Sequence, residues 1–292
     1  MRLSKAQARR TNRALTPLQR LLIHAALLLL CLPAILPFLW MIATSLKTDT
    51  EVYASTGSFS ITALIPHALQ FRNYPDALRT VPLATYLINT LALCGTTVIG
   101  SVLSSAIVAY GFARMTFWGR DALFVVMIST MALPSQVTMI PTFLIYRALG
   151  WYGTYLPLVV PSFTASAFFV FLLTQFFRTL PNEMAESARL DGCSEWKIFT
   201  RMILPLSRPA LATCALFSFM GTWNDFMGPL LYIDDPKKYT LAYGLQQFYS
   251  SYGGKWTQLM AASAMFTVPI IILFFFAQKT FIQGIATTGG RN

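Results

Sequence analysis

Side chains able to make or break bonds are sparse in these 292 residues and poorly placed for catalysis. The histidines are His24 and His67, one near the inner end of a long apolar run and one in a polar connector. Neither can easily meet a serine embedded in an apolar segment. No His-Glu-x-x-His pair and no Gly-x-Ser-x-Gly elbow occurs. The cysteines, Cys31, Cys94, Cys193 and Cys214, lack metal-ligand or redox spacing and read as small apolar residues. The string nearest a phosphate-binding loop, Gly253-Gly254-Lys255-Trp256, lacks that loop's first glycine and the Ser/Thr after lysine. The chain is therefore read as no enzyme, with no metal and no cofactor of its own. What remains is polar groups inside apolar runs: Gln136, and Trp223-Asn224-Asp225 in succession. Amides and carboxylates there are costly toward lipid and usually face a bundle interior or a water-filled path. The chemistry open to them is binding and gating.

The elements that must carry these groups follow from composition. Hydrophobic residues make up 55% of the chain and charged residues 11%, against roughly 25% charged in a soluble domain. With a mean hydropathy of +0.56, lipid is the expected solvent for much of it. A membrane helix needs about 20 apolar residues, and six stretches qualify, near 21–44, 84–110, 122–146, 155–177, 209–231 and 258–282. The fold class is thus all-α integral membrane with six transmembrane helices. The run from Leu21 to Leu46 exceeds a signal-peptide core, so it is read as a retained helix bent at Pro33 and Pro37. The net charge of +11 does not point to nucleic acid, because the basic residues gather at the ends of apolar runs. With a cytoplasmic N-terminus, segments 1–20, 111–121, 178–208 and 278–292 hold 15 Lys and Arg, and segments 45–83, 147–154 and 232–257 hold 7. That asymmetry places both termini in the cytoplasm.

The domain organisation expected is a basic N-terminus (1–20), a first span (21–44), an outer loop (45–83), a five-helix core (84–283) enclosing a cytoplasmic loop (178–208), and a tail (284–292). Phe59, Ile61, Leu64, Ile65 and Tyr74, set among turn formers, suggest that the outer loop folds onto the outer surface. Within the second span, which also carries Asn89, the small hydroxyls Thr96, Thr97, Ser101, Ser104 and Ser105 read mainly as close-packing residues.

The informative stretch runs from Leu180 to Pro209. Asn182 is a good N-cap, and Glu183 and Glu186 suit a helix N-terminus. Ala185, Ser187 and Ala188 form a small-residue face that a partner can approach. Gly192 is a helix stop, and Ser194 can cap a second helix bearing Trp196, Ile198, Phe199 and Met202. Pro205 and Pro209 bar simple continuation into the fifth span. The product is helix–glycine–helix on the cytoplasmic face. Physics alone leaves two readings open: a docking element, or an amphipathic helix lying on the membrane.

The stretch resembles the signature loop of ABC-importer membrane subunits: Glu-Ala-Ala, three residues, Gly, nine residues, Ile, one residue, Leu-Pro. Here it reads Glu186-Ser187-Ala188, Gly192, Met202, Ile203, Leu204-Pro205, every spacing kept, with Asp191 before the glycine. Ser187 and Met202 are mild departures from Ala and Ile. A second likeness, Gly221-Thr222-Trp223-Asn224-Asp225-Phe226 followed by Pro229-Leu230-Leu231, is similar to carbohydrate-importer permeases. The tail Gln278 to Gly290 resembles that of maltose-type subunits. The likeness covers the chain from the second span onward.

The resemblance implies a type I ABC importer permease fold in the cytoplasmic membrane of a prokaryote. It implies a coupling helix seated on an ATPase, with Glu183, Glu186, Ser187, Ala188, Asp191, Gly192, Leu204 and Pro205 at or near that joint. The implied partners are a second homologous permease, two ATP-binding subunits that carry the ATP and Mg, and an extracytoplasmic solute-binding protein. A homodimer of this chain is the alternative assembly. The implied cargo is a sugar, with a glycerol-phosphate-type solute as alternative. Trp223 would stack on a sugar face while Asn224 and Asp225 bind hydroxyls or hold an outer gate. Equally, the three are an interfacial aromatic with helix-packing polar groups. A secondary transporter is the rival class, but Asp225 lies off the midplane and is a poor ion-coupling set by itself.

Overall fold

The computed structural model describes residues 16–54, 64–249 and 254–289, of which 276–289 as backbone only. Phe59, Ile61, Gly253, Gly290, the basic residues before Thr16 and the side chains of the C-terminal likeness lie outside the described residues. The principal helices are α1 (Pro17–Ser45), α2 (Leu83–Arg114), α3 (Arg120–Ser129), α4 (Ser135–Ala148), α5 (Ala167–Thr179), α6 (Asn182–Leu190), α7 (Glu195–Ile198), α8 (Arg208–Trp223), α9 (Met227–Tyr232) and α10 (Trp256–Gly289). No strand occurs among the described residues.

Among the described residues, four helical stretches are long and apolar enough to cross a membrane, or up to six if each of two bent pairs is one span. The six-span reading thus holds in outline, but the third span is broken and the fifth begins at a sharp bend. Arg120–Ala132 and Ser135–Ala148 of the third meet at 97°, and Glu195–Leu206 of the cytoplasmic loop meets Arg208–Trp223 of the fifth at 79°. Pro134 explains the first break: Leu133 before it is extended, as a residue preceding proline prefers. Pro205 and Pro209 flank the second, at Ser207.

The chain divides into two compact units. In the first, Met1–Pro75 with Trp256–Ala264, α1 starts earlier than its apolar run suggests. A capping box places it: Gln19 N donates to Thr16 Oγ1 (3.2 Å) and Thr16 N to Gln19 Oε1 (3.0 Å), with Pro17 at N1. The helix runs uninterrupted through Pro33 and Pro37. Past its end, Asn73 Nδ2 donates to the Ser45 and Lys47 carbonyls, 2.8 Å each, and Ser45 bonds Tyr74 at 2.9 Å. These bonds tie the start of the loop after α1 to its end. Ile65 is 65% exposed.

The second unit, Asp76–Lys255 with Met265–Asn292, is organised by α2. Its 32 residues extend about 48 Å, well beyond a hydrocarbon core of about 30 Å. Its helical end at Arg114 outruns the apolar stretch that ends near Tyr110, with Phe112 buried and Gly111 and Ala113 half-buried. Small hydroxyls do the close packing expected of them. Thr97 bonds Thr222 and Ser101 bonds Ser218 on α8, both at 2.9 Å.

The fourth span, Leu156–Thr179, is not one regular helix. Val160–Thr164 is a tighter 3₁₀ turn, and Ala165 has φ 64° and ψ 143°. The freed backbone is met by serines of α2: Ala165 N donates to Ser104 Oγ (3.1 Å) and Ser166 N to Ser105 Oγ (3.0 Å). In lipid, unmet backbone groups would cost several kcal/mol each, so these serines make the break affordable. An alanine in this region of φ/ψ stores about 1–3 kcal/mol, while glycine there gives back about 0.5–1 kcal/mol through the unfolded chain. Ala165→Gly is accordingly expected to stabilise the purified protein by about 1 kcal/mol, read as a raised thermal midpoint in detergent. A lowered midpoint would show that the backbone at Ala165 is unstrained.

Candidate functional site

The cytoplasmic loop is built by local rules. Leu180 and Pro181 are extended and end α5. Pro181 occupies the N-cap position of α6, and Asn182 is the first helical residue, not the cap. The side-chain oxygen of Asn182 is taken instead by Arg114 Nη1. Gly192 ends α6 with φ 76°. Its N–H bonds Arg189 O (3.0 Å) and the Cys193 N–H bonds Ala188 O (2.9 Å), the paired bonds of a Schellman turn. Ser194 caps α7 as expected, its hydroxyl accepting from Lys197 N. Beyond α7 the chain widens into a π turn over Phe199–Ile203, a form that recurs at functional sites.

The faces of α6 are the reverse of one expectation. Ala185 and Ala188 are buried, in one apolar cluster with Tyr110, Phe177, Ile198 and Phe199. The small-residue face therefore seats the helix on its own chain, since residues three apart share a face. Ala188 points inward, and the outward face carries Glu183, Glu186, Ser187 and Asp191. Sequence reading also missed the apolar part of that face: Leu190 is 90% exposed and Trp196 62% exposed. Leu204 is half-buried and Pro205 exposed at the far end of the loop.

Two polar clusters hold the loop against α2. Arg114 Nη2 donates to the carbonyls of Phe177 (2.6 Å) and Leu180 (2.7 Å), closing the C-terminal end of α5. Tyr110 Oη donates to Glu195 Oε2 at 2.5 Å, and Arg189 bonds both oxygens of Glu195, at 2.5 and 3.2 Å. The Arg189 hydrogen bond, then that of Tyr110, holds the Glu195 carboxyl below its usual range. The signals for these residues existed: Tyr110 and Arg114 lie four apart at a helix end, and Arg189 and Glu195 carry opposite charge across a glycine turn. Neither is specific without coordinates.

The membrane residues separate. Trp223 is fully buried, its ring between Phe219 (5.4 Å) and Phe266 (5.1 Å). In this conformation it packs helices and is not open to stack on a solute. Asn224 is exposed but turns its amide back to Met220 O at 2.8 Å. Asp225 Oδ1 accepts from Gly228 N at 2.9 Å, bracing the turn that leads into α9. A Cβ at Gly228 would run into that same carboxylate and into Leu158 at 2.8 Å, so the turn needs glycine. Gln136 is exposed and lines a cleft of about 410 Å³ between α4 and α9, with Thr138 and Thr142 opposite Met227, Leu231 and Tyr232. The lining offers amide, hydroxyl and aromatic groups without a formal charge. Among the described residues no group of three His, Cys, Asp or Glu could hold a metal ion.

Broken membrane helices beside a mainly apolar cleft that holds one amide and a few hydroxyls, with a helix–turn–helix on one loop, fit the membrane subunit of a transporter. The chain belongs to the family of binding-protein-dependent transport system inner membrane components, whose model matches residues 98–287. It is similar to the diacetylchitobiose uptake system permease protein NgcG of Streptomyces coelicolor, 31% identical over 91% of this chain and 87% of that protein. It is likewise similar to the arabinooligosaccharides transport system permease protein AraQ of Bacillus subtilis, 31% identical over 90% of this chain and 92% of that one. Among solved structures, a chain of a bacterial ABC transporter involved in import of the acidic polysaccharide alginate matches with a TM-score of 0.76. It is 24% identical, over 89% of this chain and 95% of that one. This chain is thus a multi-pass membrane permease subunit of an ABC importer. It works with an ATPase and a solute-binding protein and is not itself an enzyme.

Proposed function

We propose that this permease carries a sugar or oligosaccharide inward across the cytoplasmic membrane, driven through the loop 178–208 by ATP bound with Mg on two separate subunits. A single observation carries the coupling part of the reading. The α6–Gly192–α7 turn buries its alanine face on its own chain and presents Glu183, Glu186, Asp191, Leu190 and Trp196 outward. A rigid, mixed acidic and apolar face suits a protein groove better than a lipid headgroup layer, which favours Lys and Arg on the polar side. The names of the relatives support a carbohydrate cargo, as do the uncharged amide and hydroxyls of the cleft at Gln136. A glycerol-phosphate-type solute is the alternative, and it would need a cationic group that this cleft lacks among its described lining residues.

Gln136 contacts the solute in this reading. Asp225 and Asn224 shape the turn that sets the outer half of the path, and Trp223 supports them from behind. The loop residues Ser187 and Gly192 lie at the ATPase joint in this reading, with Ala188 and Leu204 on its inner side and Pro205 at its far end. In this reading the second half of the path comes from a homologous permease, and the excess of Lys and Arg on four segments supports a cytoplasmic location for both termini.

The test is affinity purification of this chain in gentle detergent, with mass spectrometry of the co-purifying proteins. The expected result is a P-loop ATPase together with a second membrane subunit bearing its own signature loop. Recovery of this chain with neither, under conditions that keep a known importer intact, would overturn the assembly. Recovery with the ATPase alone would replace the heterodimer by a homodimer.

A further inference from the structure

We infer that Tyr110, Arg114, Arg189 and Glu195 form the joint through which movement of the α6–α7 loop reaches α2, and so the translocation path. The inference rests on the reading above that this loop docks on the ATPase. Covalent connection does not give α2 a share in the loop's motion: the chain reaches the loop from α5 and leaves it into α8. Any push on α6 that is to move α2 must cross a non-covalent contact.

The structure shows two such contacts, one turn apart on α2. The first is the guanidinium of Arg114, whose Nη2 takes the carbonyls of Phe177 (2.6 Å) and Leu180 (2.7 Å) while Nη1 takes the side chain of Asn182. This planar fork binds the last turn of α5 and the first residue of α6 at once, so the hinge at Leu180-Pro181 cannot open without breaking charge-assisted bonds. The second is the Glu195 carboxylate. Arg189 of α6 holds both its oxygens, and Tyr110 of α2 donates to one of them at 2.5 Å. The ring of Tyr110 also packs on Phe199 of the π turn, centroids 5.1 Å apart. Both arms of the loop are thereby pinned to the end of α2 that projects past the hydrocarbon. Farther along, α2 bonds α8 through Thr97 and Ser101 and the broken fourth span through Ser104 and Ser105. Displacement at the joint would be passed to two other spans.

These are positioning residues, and a purely structural role must be told apart from transmission. The intact importer, comprising this chain, its second permease and its ATPase subunits, is placed in lipid nanodiscs with the native cysteines replaced. Spin labels are attached at Ile88 on α2 and at Leu149 after α4. Trapping with Mg-ATP and vanadate is expected to shift the inter-label distance in the otherwise native protein. In Tyr110→Phe, Glu195→Gln and Arg114→Lys the shifted fraction should fall about tenfold, the equivalent of losing one charge-assisted bond. The ATPase subunits should still co-purify, and nucleotide turnover should persist. Tyr110→Phe keeps the ring on Phe199 and removes only the hydroxyl, so it stands if either charge variant fails to accumulate. A full distance shift in Tyr110→Phe and Glu195→Gln would overturn the joint. Failure of the ATPase to bind even the unaltered chain would instead overturn the docking reading beneath it.

Discussion

Gly192→Pro is expected to abolish ATP-coupled uptake while leaving the chain inserted in the membrane and the ATPase able to turn over. Proline holds φ near −65° and has no N–H, whereas Gly192 has φ 76° and donates to Arg189 O at 3.0 Å. The Schellman turn cannot form, and α7 loses its direction from α6. The cost exceeds about 3 kcal/mol, but it falls on a solvent-facing turn outside the spans. Gly192→Ala separates the causes, since a Cβ at this position meets nothing within 4 Å. Its cost is conformational only, about 1–2 kcal/mol. A graded series of uptake rates, Gly above Ala above Pro, at equal membrane abundance would confirm that the turn geometry is what matters. Undiminished uptake in Gly192→Pro would remove Gly192 from the coupling machinery.

The second large effect concerns Gly100. A Cβ there would stand 2.5 Å from Ser162 Oγ and 2.8 Å from the Phe163 ring. Ser162 is not free to yield, because its hydroxyl donates to Val159 O at 2.7 Å within the 3₁₀ turn. Gly100→Leu adds three more carbons at this crossing, beyond the 1–3 kcal/mol usual for overpacking. We expect loss of folded protein, measured as collapse of the monodisperse peak in detergent chromatography. Gly95, five residues earlier on the same helix, has nothing within 4 Å of its Cβ position. Gly95→Ala should leave stability unchanged or raise it by up to about 1 kcal/mol. Equal tolerance of both substitutions would show that α2 and the fourth span do not approach so closely.

The spans were legible because about 20 apolar residues in a row have few alternatives to a membrane. The loop was legible because Gly192 and Ser194 act through short-range geometry, which type and spacing reveal. Three features resisted for one reason: their partners are distant in sequence. Asn182 has the right type for a cap, but Arg114 claims its oxygen, and nothing near residue 182 announces an arginine 68 positions earlier. Ala185 and Ala188 fit close approach by any neighbour, and whether that neighbour is another protein or Phe199 of the same chain is a tertiary fact. Trp223 suits an interface or a core equally, and Phe266 decides it. The 97° break of the third span was signalled by Pro134, yet proline inside a membrane segment also fits a mild kink, as at Pro141 inside α4.

The serines that meet the broken fourth span have a consequence for how the protein is made. A helix entering lipid alone satisfies its own backbone, but the turn at 160–166 does so only with Ser104 and Ser105 beside it. Released by itself, this span would either close into a regular helix or be retained at the insertion site until α2 arrives. The order of synthesis suits this dependence: residues 83–114 precede 156–179, so the serine acceptors are already present when the irregular turn forms.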